Sequence, residues 1–203
     1  MKIEILYPEI CTLYGDKGNT MYLQKCLPDA EFVTTGLNEK PLFLKENIDM
    51  VYMCSMSEKS QELVLDRLMQ YKDEIAACMK DGKALFLLVG NSMELLGDYI
   101  KREDGTRVTG LGVVPGMYSV RQTPNRFNTL IKAKFNDMTL IGYTSRFAHT
   151  YGIPDDMTFC KVEIGQGSNP DTMNEGICKN RVIATYIHGP VSYTHLRAHE
   201  TRR

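Results

Sequence analysis

An unbroken apolar run at residues 84–89, Ala-Leu-Phe-Leu-Leu-Val, meets a corner of small residues, Gly90, Asn91 and Ser92, and passes at once into Met93, Glu94, Leu95 and Leu96. An apolar run of this kind suits a parallel strand, because helices cover such a sheet on both faces. A sharp strand-to-helix turn at the carboxyl end of that strand is where open α/β sheets place reactive side chains. The turn has the shape of a nucleophile elbow, yet Gly90 holds the corner and offers no nucleophile.

The flanking pattern sets the fold class. Residues 2–7 read as a strand and 18–27 as a helix carrying Met21, Leu23 and Cys26. Residues 31–35 and 49–54 read as two more strands. Residues 57–80 read as the longest helix, with Leu63, Leu65, Leu68, Met69 and Ile75 recurring near the helical period, Ser57 as its N-cap and Gly82 as its stop. This order predicts an α/β fold with a mainly parallel, flavodoxin-like sheet and helices on both faces. In the second half, residues 113–120, 129–135, 139–144 and 158–164 are strand-like runs between Gly, Pro, Asn and Asp turns, which implies antiparallel strands added to the sheet. Residues 181–187 form a last strand ending at His188, Gly189 and Pro190.

Composition excludes several classes. The chain has 203 residues, 43% hydrophobic and 24% charged, with a formal net charge of −1 and no basic block, so nucleic acid is not an expected partner. No apolar run approaches the roughly 20 residues of a membrane span, and no signal peptide opens the chain. Cys11, Cys26, Cys54, Cys78, Cys160 and Cys178 lack C-x-x-C spacing, so neither a metal site nor a disulfide framework is expected, and a cytoplasmic location follows. Residues 1–190 read as one domain. Residues 191–203 show no apolar period, and 191–201 read as a frame through a sequencing adapter, a non-native tail after a truncated carboxyl-terminal segment. Without His195 and His199 in that tail, His149 and His188 remain as the native histidines.

Three segments carry candidate chemistry. Leu13, Tyr14, Gly15, Asp16, Lys17, Gly18 and Asn19 link the first strand to the first helix, a place for an anion or polar ligand. They match neither phosphate-binding fingerprint, and by spacing alone a capped connection with Asp16 as N-cap is favoured. His188 ends a strand where a base can face the elbow, although a lone histidine is more often structural. Residues 142–152, including Arg146 and His149, form a polar stretch that either lines a site or lies on the surface.

Together these segments resemble the glutamine amidotransferase domain of the cobyric acid synthase type, and within it the glutaminase subunits of lipid II isoglutaminyl synthases. The resemblance rests on Leu13, Tyr14, Asp16, Gly18 and Asn19, on Asp104 to Thr106 with Gly110 to Gly112, on Asn125 and Arg126, and on Tyr186 to Pro190, in consistent order from residue 3 to 190. It implies the class I amidotransferase fold, no cofactor, and a cysteine nucleophile with a histidine base. The thiolate attacks the side-chain amide of glutamine, ammonia leaves, and backbone N–H groups hold the oxyanion. Ammonia then passes to a Mur-ligase-like, ATP-dependent partner subunit that has activated a carboxylate, in the closest relatives the D-glutamate of a cell-wall precursor. The resemblance assigns His188 as base, and Arg126, Asp16 and Asn19 as substrate contacts.

The elbow departs from the family motif C-G-G-Y-Q-[LF]-L-G. Gly90 stands at the nucleophile, Glu94 at the glutamine, and the oxyanion segment reads Cys54, Ser55, Met56, Ser57. Cys54, at the end of a neighbouring strand, is the candidate substitute thiol, whereas Ser92 is better placed to cap backbone N–H groups. Three readings follow: an amidotransferase subunit with an unusual nucleophile; a degenerate glutaminase kept as partner of the ligase, or a cobyric acid synthase-type enzyme of cobalamin biosynthesis; and, more weakly, a flavodoxin-like small-ligand binder.

Overall fold

The computed structural model describes residues 1–13 and 17–189, so Asp16 and the tail at 191–203 lie outside the described residues. The chain runs β1 (Lys2–Leu6), α1 (Lys17–Cys26), β2 (Glu31–Thr35), β3 (Met50–Met53), α2 (Glu58–Met69), α3 (Lys72–Asp81) and β4 (Leu85–Val89). A 3-10 helix, Gly90–Leu96, follows β4 directly. Then come β5 (Tyr99–Lys101), β6 (Arg107–Thr109), β7 (Tyr118–Arg121), β8 (Phe127–Phe135), β9 (Met138–Arg146), β10 (Ala148–Tyr151), β11 (Thr158–Ile164), β12 (Asn174–Lys179) and β13 (Val182–Thr185).

Among the described residues the main sheet has the order β2-β1-β3-β4-β13-β12-β11-β8-β9. Its first five strands are parallel and its last five, counting β13 in both, are antiparallel. Helices cover both faces of the parallel half, as the apolar runs predict. On one face Val51, Met53, Phe86 and Leu88 pack with Val64, Leu65 and Leu68 of α2 and Ile75 and Met79 of α3. On the other, Ile3, Ile5, Met50, Tyr52, Cys54 and Val89 pack with Leu23 of α1 and Leu27. Each fully buried side chain of this kind contributes roughly 1.5–3 kcal/mol.

Three expectations need correction. The helix expected at 57–80 is two helices: Tyr71, at φ −113° and ψ 14°, interrupts the backbone, and Asp73 and Glu74 fall in the first turn of α3, where carboxylates complement the helix dipole. Ser57 does cap α2, its Oγ accepting from the Ser60 N–H at 3.2 Å, and Gly82 ends α3 at φ +62°. The strand expected at 113–120 is instead β7, starting at Tyr118, because Gly112 and Gly116 take φ of +63° and +83° and turn the chain. Nor do all second-half strands join the main sheet: β10-β7-β5-β6 form a second, four-stranded one.

Charge ties this small sheet to α2. Arg102 donates to both carboxylate oxygens of Glu62 at 2.9 and 2.8 Å, and Arg121 donates to Oε1 at 2.7 Å. The hydrogen bonds from Arg102, then those from Arg121, hold the Glu62 carboxyl down at about 2. A carboxyl held below its unfolded value adds stability above that value and loses it as pH falls through the folded one. Glu62→Gln is therefore expected to lie below wild type in thermal melts at pH 7 and to converge with it between about pH 4.5 and 2. Parallel curves down to pH 2 would show that the pair adds nothing.

Candidate active site

The site is built where β3, β4 and β13 end together. Gly90 closes β4 at φ +70°, a left-handed conformation that costs a residue with a Cβ about 1–2 kcal/mol. The chain beyond it winds into the 3-10 helix, whose first residues are bolted to the segment after β3. Asn91 does most of this: its Oδ1 accepts from the Met56 N–H at 2.9 Å, and its Nδ2 donates to the Met56 carbonyl at 2.7 Å. Ser92 Oγ is within donating distance of the carbonyls of Val89, at 2.8 Å, and Met53, at 3.2 Å. Ser92 thus donates to backbone carbonyls, where its position suggested a cap on backbone N–H groups.

His188 reaches the elbow from the far side. It forms an isolated antiparallel bridge with Tyr143, its N–H donating to the Tyr143 carbonyl at 2.8 Å and its carbonyl accepting at 3.2 Å. The two rings stack with centroids 5.3 Å apart. The imidazole is 1% exposed, and burial pushes it down to about 4, so it is neutral near pH 7 and able to take a proton. A Cβ built on Gly90 would lie 3.4 Å from His188 Cε1, so the histidine and the elbow converge. The same Cβ would run into the Ser55 hydroxyl and lie 3.0 Å from Ser55 Cβ.

Cys54 is placed differently. It packs in the cluster facing α1, its Sγ in contact with the Tyr52 hydroxyl and 3.8 Å from Asn19 Nδ2. Successive side chains of an extended segment point to opposite faces, so Ser55 meets the elbow while Cys54 meets the helix. Asn19 therefore sits beside Cys54. Arg126 is exposed, its guanidinium 4.8 Å over the Phe147 ring. Phe147 in turn lines a cavity with Ser55, Gln61, Glu94, Arg121 and Arg146, whose free volume of about 20 Å³ is the room of one water.

Behind that cavity lies a polar network that sequence reasoning left out. Glu94 is 2% exposed and accepts from Gln61 Nε2 at 2.9 Å and from the Tyr186 hydroxyl at 2.8 Å. Burial raises its carboxyl, while those two hydrogen bonds and the Arg121 charge pull it back. Arg121 reaches it through Gln61, donating to Oε1 at 3.0 Å. Arg146 is buried over the Tyr186 ring at 4.6 Å and donates to the Gly167 carbonyl at 2.5 Å, and its Nε and Nη1 find no hydrogen-bond partner among the described residues. His149 packs on Phe127 at 4.1 Å, outside the elbow cluster just described. The alternation after Cys54 is the one sequence signal that could have pointed to Ser55, which the sequence reading passed over in favour of Cys54. Nothing in the sequence foretold the network, which joins residues up to 92 positions apart.

Comparison with known proteins agrees with this layout. Residues 2–195 match the model of the CobB/CobQ-like glutamine amidotransferase domain. The chain is 27% identical over 195 residues to the lipid II isoglutaminyl synthase (glutamine-hydrolyzing) subunit GatD of Streptococcus pneumoniae, covering 94% of this chain and 74% of that protein. It is 25% identical over 181 residues to the subunit of the same name from Staphylococcus aureus, covering 88% and 73%. In fold it resembles a glutamine amidotransferase from Thermotoga maritima at a TM-score of 0.60 and 12% identity, over 100% of this chain and 86% of that one.

Proposed function

The chain belongs to the CobB/CobQ-like glutamine amidotransferase family, and from that premise we propose that it is the glutamine-side subunit of a two-subunit amidating ligase. In this reading it takes ammonia from the side-chain amide of glutamine and passes it to a Mur-ligase-like, ATP-dependent partner in the cytoplasm. The acceptor is a carboxylate of a lipid-linked cell-wall precursor, as the names of both curated relatives suggest. The observation that carries the reading is the convergence of His188 on the elbow at Gly90, within 3.4 Å of where a side chain would begin. Arg126 is the proposed contact for the charged end of glutamine, with Asp16 and Asn19 ordering the entrance. The cobyric acid branch shares the domain, but neither curated relative's name points to it.

A second reading has its own support. Gly90 brings no thiol to the elbow, and the Met56 N–H, in the segment where the family holds its oxyanion, is already bonded to Asn91 Oδ1. In this form the chain stabilises the ligase without hydrolysing glutamine. The two separate in a reconstituted complex supplied with lipid II and ATP. Glutamine-dependent amidation that needs both subunits is the expected result, whereas amidation from ammonium chloride but never from glutamine would mean the non-hydrolysing form. A chain that alters neither the ligase's stability nor its output with either nitrogen source would remove both.

A further inference from the structure

The side chain missing at the elbow has a stand-in on the neighbouring strand. The Ser55 hydroxyl oxygen lies about one covalent C–S bond from the Cβ that a residue at 90 would carry, and His188 Cε1 lies 3.4 Å from the same point. The oxygen thus stands at the distance of an elbow cysteine's sulfur from a point that is also 3.4 Å from the imidazole Cε1. We propose that Ser55 is the nucleophile of this chain and His188 its general base, an inference that rests on the amidotransferase reading above.

The backbone that carries Ser55 is held by bonds on both sides. Asn91 clasps Met56 through its N–H and its carbonyl, at 2.9 and 2.7 Å. Ser92 reaches the Met53 carbonyl at 3.2 Å, and the Leu13 N–H donates to the Ser55 carbonyl at 3.1 Å. Ser55 is thereby fixed to the elbow within a few residues in each direction, the preorganisation that a reacting group requires. Glycine at position 90 is what makes room: any Cβ there would expel the hydroxyl. Ser55 also lines the cavity that Phe147 and Arg146 border, the space that a glutamine amide would enter as those walls part.

The chemistry balances without a further reactant except water. Ser55 Oγ forms a bond to the amide carbon as its proton moves to the His188 imidazole. The carbon–nitrogen bond then breaks, and the imidazolium returns that proton to the departing nitrogen, which leaves as ammonia. Water attacks the resulting ester with His188 again taking a proton, and glutamate departs as Ser55 regains its hydrogen. A hydroxyl is a weaker acid than a thiol, so slow turnover is expected.

The test follows glutamate release from glutamine together with mass spectrometry of acid-quenched protein. The expected results are a hydroxylamine-labile glutamyl ester on Ser55, at least about 100-fold less release from Ser55→Ala, and release from Ser55→Cys that becomes sensitive to iodoacetamide. Release that survives Ser55→Ala, release that is lost instead in Cys54→Ala, or wild-type protein that neither releases glutamate nor forms the ester would each overturn the proposal. The ligase assay with ammonium chloride reports separately on the subunit role. Amidation from ammonium with no ester on Ser55 defeats the nucleophile alone, and an ester on Ser55 without amidation from either nitrogen source defeats the ligase role alone.

Discussion

Replacing His188 with alanine is expected to lower glutamate release by about 10²–10⁴-fold, the usual contribution of a positioned general base. His188 Cε1 stands 3.4 Å from the position of an elbow Cβ, and Tyr143 fixes the ring by backbone pairing and by stacking. Electrostatics then set its protonation. Burial alone holds the imidazole down at about 4, where an exposed histidine titrates near 6.5. The acid limb of kcat/KM should therefore lie near pH 4, and an acid limb near 6.5 would show that the histidine opens to solvent or is not the base. The same depression has a stability consequence. The unfolded chain binds a proton on this residue between about pH 6.5 and 4 that the folded chain does not, so stability falls as pH drops through that window. His188→Asn should flatten the slope there even where the variant is inactive.

Gly90→Cys, which restores the family residue, is expected to destabilise the protein and to yield no working thiol enzyme. Two costs combine. The φ of +70° costs a residue with a Cβ about 1–2 kcal/mol, and forcing that Cβ against the Ser55 hydroxyl and Ser55 Cβ adds about 1–3 kcal/mol of overpacking. Together they amount to about 2–5 kcal/mol, or a fall in Tm on the order of 4–20 °C for a chain of this size. Adding Ser55→Gly removes both clashing atoms, so the double variant should regain the packing share and carry a thiol beside His188 that releases glutamate and is blocked by alkylation. The two changes occupy one space and must be non-additive. Equal melting temperatures for Gly90→Cys and wild type, or full release from the single variant, would show that the Ser55 hydroxyl does not fill the elbow.

Much of this architecture was legible because the apolar patterning is strong where the sheet is parallel. The run at 84–89, covered by helices on both faces, produced both β4 and the corner at Gly90. The expectation that His188 faces the elbow came from the family resemblance, and the place of β13 beside β4 is what brings the two together. Other elements were hidden for physical reasons. The break at Tyr71 carries no proline or glycine and is set by tertiary packing. Strand β12 reads Asn-Glu-Gly-Ile-Cys-Lys, poor in strand formers, and exists because it fills the place between β11 and β13. At the site the family's thiol chemistry points to Cys54, whereas the pleat turns the next residue, Ser55, toward the elbow. Glu94, Gln61, Tyr186 and Arg121 meet only through tertiary contacts, and no local pattern encodes them.

The most direct test of the account is transfer of nitrogen. The chain and its ATP-dependent partner are given lipid II, ATP and glutamine carrying a heavy nitrogen in its side-chain amide, and the product is weighed by mass spectrometry. The account predicts heavy nitrogen in the amidated product, dependent on both subunits and on His188. Product that carries only ordinary nitrogen, formed equally well with His188→Ala, would contradict it.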